Sequence, residues 1–204
     1  KETASKPKSP NRVDPATAIR PFPKPAAAVE EPPAGPPRDT SAEALAKTQA
    51  SYQKITDLVM KELDAQAHFV SYAPPAMIAF RKGAYLEFSV STTLPSAAGG
   101  SRYKNAATAF DDHISHLIRP TMAYFKGDLD FDGIAYSTTI HQQEKDKAPS
   151  SQGDEAVEFF FPIAALRCYE NYDCTGQQLI DQGSVLINGE RVSLDLQTAE
   201  GSSR

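Results

Sequence analysis

Ten of the chain's 16 prolines stand within its first 38 residues, and no apolar period accompanies them. Proline fixes φ and offers no backbone N–H, so neither a helix nor a central strand is expected in Arg20-Pro-Phe-Pro-Lys-Pro-Ala-Ala-Ala or in Glu-Glu-Pro-Pro-Ala-Gly-Pro-Pro. The segment reads as a disordered arm with polyproline II character. At about 3.1 Å per residue, such an arm extends to roughly 100 Å at most. Pro21-Phe22-Pro23 and Pro33 to Pro36 have the make-up of ligands for aromatic-lined grooves. Composition alone favours a spacer. The remainder of the chain, from Asp39 on, is long enough for one ordinary domain with a real core.

Charge divides at the same place. Residues 1–38 carry seven basic and four acidic side chains, a net of +3, which leaves −8 on 39–204 of a chain totalling −5. An acidic body argues against nucleic-acid binding, which needs cationic surface to neutralise phosphates. The longest apolar run, Phe159 to Leu166, contains Pro162 and is far short of the roughly 20 residues a spanning helix needs. The polar N-terminus is no signal peptide. Because the chain starts at Lys1 and not at methionine, removal of a preceding signal sequence or anchor is expected.

Patterning predicts the domain's elements. Thr40-Ser41-Ala42-Glu43 reads as a capping box with Thr40 at the cap. Leu45, Tyr52, Ile55, Val59 and Leu63 then form one apolar stripe of a helix running to about Gln66, a docking face more than a coiled-coil seam. Alternation predicts a strand over Tyr85–Leu94, paired with Met77–Phe80 across Arg81-Lys82-Gly83-Ala84. Ser96–Gly100 reads as a loop, and Asn105–Ile118 as a second helix ending near Pro120. Leu129–Ile140 reads as a strand whose parity shift predicts a bulge at Gly133. Next come a charged loop over Gln142–Glu155, a buried strand over Ala156–Phe161 and a short helix from Pro162 through Cys168. Another short helix, Thr175–Gln182, stops at Gly183, and Asn188-Gly189 marks a type I′ hairpin between Val185–Ile187 and Arg191–Leu196. The expected fold is α+β, a mainly antiparallel sheet packed by two main helices. The expected divisions are an arm (1–38), a single domain (39–197) and a flexible tail (198–204).

Three clusters have chemical potential. Asp128-Leu129-Asp130-Phe131-Asp132-Gly133 matches the opening of a calcium loop, but Thr139 stands where a bidentate glutamate belongs. A solvated acidic strand face is the simpler reading. Asp112, His113 and His116 fall within a helical turn of each other, with His68 and His141 the remaining histidines. Cys168 and Cys174 fit neither a redox nor a zinc spacing, and would close a short disulfide loop in an oxidising compartment. Ser101, after Gly99-Gly100, has no nucleophile motif around it.

No catalytic residue, metal ligand or cofactor is assigned. The leading expectation is a non-enzymatic, extracytoplasmic binding or assembly module, held from an anchor by the arm. Its partner would be a protein or cell-envelope component, with no nucleic acid, and membrane contact only through a lost N-terminal anchor. The alternative is a metal-dependent hydrolase built on Asp128, Asp130 and Asp132 with His113 and His116. A cytosolic scaffold with reduced cysteines is the third.

Overall fold

A computed structural model describes residues 38–65, 71–95, 101–143 and 155–203. The arm with its Pro-Phe-Pro segment, His68 and the 96–100 loop lie outside the described residues. The domain is α+β, with a seven-stranded, mostly antiparallel sheet in the order β1-β2-β3-β4-β5-β6-β7.

The first helix, α1 (Ala42–Asp64), begins one residue later than its sequence signature. Ser41, not Thr40, is the N-cap, and its hydroxyl accepts from Ala44 N–H at 3.3 Å. The stripe is as read: Val59 and Leu63 are fully buried, while Leu45, Tyr52 and Ile55 pack on the core's margin. β1 (Ser71–Phe80) starts earlier than expected and takes in Pro74 and Pro75. Two register shifts lie in that stretch, and β1 is an edge strand, the place where a sheet tolerates prolines. A two-residue turn with Arg81 at φ 55° leads into β2 (Gly83–Pro95).

Among the described residues, the one parallel pairing joins β2 to β3 (Gly133–Gln143). A parallel neighbour requires a crossover, here a helical rod of α2 (Arg102–Ala109), a π-helical turn (Phe110–Ile114) and α3 (Ser115–Met122). The π turn has a readable cause. Ala106, Phe110 and Ile114 are all buried at four-residue spacing, which drifts about 40° per step on a 3.6-residue helix. One widened turn, closed by Ser115 N–H to Phe110 C=O, returns the row to the core. The rod also runs through Pro120 to Met122, beyond the expected stop.

β3 begins at Gly133, so the parity shift is the start of the strand and not a bulge. Glycine is required there because a Cβ would stand 2.4 Å from Phe161 C=O and 2.3 Å from the Tyr85 ring. β4 (Glu155–Pro162), the short helices α4 (Ile163–Glu170) and α5 (Gly176–Gln182), and the hairpin β5 (Ser184–Ile187) with β6 (Glu190–Asp195) agree with the sequence pattern. Asn188 and Gly189 take φ values of 51° and 79°, as the type I′ turn demands. The residues expected as a tail hold β7 (Glu200–Ser203), paired antiparallel to β6.

The core lies between the helices and one face of the sheet. Leu86, Phe88, Ile134, Tyr136, Phe159 and Phe161 meet Phe110, Ile114, Leu117 and Ile118 there. Successive side chains alternate across a strand, so Phe80, Tyr85, Glu87, Ala135, Ser137, Glu158 and Phe160 occupy the opposite face. Among the described residues no helix covers that face.

Candidate functional site

The predicted clusters resolve in different ways. Asp128-Asp132 is a loop before β3, not a strand face, and its last member is a structural staple. Asp132 Oδ1 accepts from Arg38 Nε at 2.7 Å, and Oδ2 accepts from Ala84 N–H at 2.8 Å. Asp130 N–H donates to the Tyr52 hydroxyl at 3.0 Å, and Asp128 is exposed. His113 sits half-buried in the π turn, and His116 is exposed on α3, so the spacing of a regular helix does not apply to them. Asp111 in the same turn is held above the usual carboxylate range by partial burial and then by Asp112. Among the described residues, no three His, Cys, Asp or Glu side chains gather where a metal ion could be held. Ser101 is the N-cap of α2, accepting from Lys104 N–H.

Cys168 and Cys174 are brought together as thiols. The end of α4 is a Schellman motif: Asp173 N–H donates to Cys168 C=O at 2.9 Å and Tyr172 N–H to Tyr169 C=O at 3.2 Å. Burial, then a hydrogen bond with Cys168, pushes the Cys174 thiol up to about 12.

Sequence reasoning missed the helix-free face as a site. Phe80 and Phe160 stack at 3.7 Å and 12°, and Tyr85 stands edge-on to both at 5.7 and 5.6 Å. Beside this aromatic group lies a carboxyl pair. Ser137 Oγ donates to Glu87, while burial and then the Glu87 charge raise Glu158 above its usual carboxylate value. The pair is a consequence of register: Ser137 opposes Glu158 on β4 and Ser89 on β2, one step along from Glu87. Alternation alone gave the β2 half, Tyr85 and Glu87. The β4 half was hidden, because Glu158 lies inside a run read as wholly buried.

A second feature lies beyond α4. The Arg119 guanidinium sits 4.6 Å from the Tyr169 ring centroid and 4.0 Å from that of Tyr172, and it donates to Tyr169 C=O at 3.3 Å. Tyr172 is 78% exposed. No spacing rule links position 119 to 172.

Comparison with family models, with curated proteins and with solved structures found no match.

Proposed function

We propose that this domain is a non-enzymatic binding or assembly module that works outside the cytoplasm, with residues 1–38 as its spacer. The observation that supports the reading is the one-sided sheet. Its helix-free face carries three clustered rings and a carboxyl pair, with half-buried Phe80 and Tyr85 at its surface. Aromatic rings beside a few polar groups are the make-up of protein-contact surfaces. A protein or cell-envelope component is the partner this surface suits. In the oxidising compartment this reading requires, the neighbouring thiols of Cys168 and Cys174 would pass two protons and two electrons to a small-molecule disulfide by thiol–disulfide exchange and close a Cys168–Cys174 bond.

Two measurements test this. Immobilised protein is challenged with solubilised envelope components, comparing wild type with Phe80→Ser and Tyr85→Ser checked for folding by circular dichroism. Specific retention that both variants lose is expected, and retention indifferent to both sinks the reading. Unreduced protein from its own cells is expected to be two hydrogens lighter than reduced protein. Equal masses would remove the oxidising compartment from the proposal.

A further inference from the structure

An open sheet has two edges, and this one treats them differently. The β1 edge is closed. Pro74 and Pro75 lack N–H groups, and the Gln49 side chain of α1 acts as a substitute strand. Its Nε2 donates to Pro75 C=O at 3.0 Å, and its Oε1 accepts from Met77 N–H at 2.6 Å. The β7 edge has no such protection. Glu200–Ser203 contains neither proline nor lysine, and its register with β6 is unbroken. Alternate residues of an edge strand direct N–H and C=O outward, and among the described residues none is bonded to the outer side of β7. The strand is backed on its helix side by the Tyr103 ring, which lies 2.6 Å from where a Cβ on Gly201 would be.

The surroundings select the occupant. A groove of about 600 Å³ crosses β6 between α5 and β7, and its lining includes Asp181, Asp195 and Glu200 and no lysine or arginine. Pairing β7 with β7 of a second copy would bring together two strands that each carry Glu200 beside an acidic groove, on domains that are already acidic. A basic strand would meet them favourably, since residues two apart along it project to the same side.

We propose that β7 takes up an extended segment bearing lysine or arginine as an eighth strand. The proposal rests on the binding-module reading and gives it a place and a partner chemistry. Main-chain hydrogen bonds would supply the attachment, and the acidic groove the choice of sequence.

The test uses the full chain and fluorescence anisotropy with a labelled short peptide alternating lysine and valine. Its controls are the glutamate–valine peptide and the lysine peptide N-methylated at alternate residues. The lysine peptide is expected to bind at least about tenfold tighter than either control, a difference of about 1.4 kcal/mol. Ser202→Pro and Ser203→Pro are compared, because the Ser203 N–H points outward and the Ser202 N–H points into the β6 ladder; Ser203→Pro is expected to weaken binding about tenfold. Asp181→Lys with Glu200→Lys, which leaves the strand's backbone intact, is expected to reverse the preference for charge. Equal binding of the N-methylated peptide overturns strand addition, leaving charge attraction alone. Absence of binding by folded wild type also overturns it. Binding that survives the proline variants but is lost in Tyr85→Ser overturns the β7 site and leaves the module reading standing.

Discussion

Tyr172 occupies the position where a helix usually ends in glycine. Its φ of 64° is left-handed, and its hydrogen bonds are those of a Schellman motif. A side chain there costs on the order of 1 kcal/mol relative to glycine, and the Arg119 stack, worth about 0.5–1 kcal/mol at an exposed site, offsets it. Tyr172→Gly should therefore unfold in urea within about 0.5 kcal/mol of wild type, since strain and stack are lost together. Tyr172→Ala keeps the strain and loses the stack, and should be less stable by about 0.5–1 kcal/mol. Equal stability of the two variants would place the loop elsewhere in φ. Glu158 supports a pH test. Its folded value is raised by burial and by Glu87, so the fold favours the protonated form. That contribution is complete below the unfolded value of about 4.5 and is lost as pH rises through the folded value. Glu158→Gln should then melt higher than wild type at neutral pH and at the same temperature near pH 4. A constant difference across pH would remove Glu87 and desolvation as the cause.

At the scale of elements, patterns with a local cause were legible and those set by tertiary contact were not. The apolar stripe of α1 and the Asn188-Gly189 turn each depend on a few adjacent residues, and both stand as read. The parallel β2–β3 pairing depends on where a crossover rod lies, which alternation within β2 cannot reveal. Gly133 misled for the same reason: a bulge and a close approach by Tyr85 and Phe161 leave one signature in sequence. The helix-free face was only half legible, because buried Phe159 and Phe161 flank Glu158 and Phe160 and hide their parity. Gln49 shows how much such a contact can carry. It is not one of the apolar stripe residues read from the sequence, yet its amide closes the β1 edge. Gln49→Ala leaves a donor and an acceptor of that edge without partners, at about 1–3 kcal/mol. The variant should also self-associate with rising concentration, by light scattering, because an uncovered edge is a template for pairing. A monomeric variant of unchanged stability would mean that water replaces the amide fully.

For the whole molecule, the division marked by the prolines acquires a physical joint. Arg38 closes the basic segment in sequence, yet its side chain belongs to the domain, bonding Asp132 and donating to Leu129 C=O at 3.0 Å. Asp132 in turn ties Ala84 by N–H and C=O alike and accepts Ile163 N–H at 3.0 Å. Arg38 is therefore held at the corner where β2 begins, β3 begins and β4 hands over to α4. Both partners of the ion pair are about one-third exposed, so the pair contributes in the range of roughly 0.2–1 kcal/mol. A fragment of residues 36–204 keeps Arg38 and its bonds to Asp132 and Leu129, and serves as the reference in urea unfolding. The fragment 39–204, which keeps the Asp39 bond to Ser41 N–H, should be weaker by that ion-pair increment, and Arg38→Ala in the whole chain should reproduce its loss. Asp132→Ala should cost more, about 1–3 kcal/mol, because it also strands the Ala84 N–H. If 39–204 proves as stable as 36–204, Arg38 is not engaged in solution.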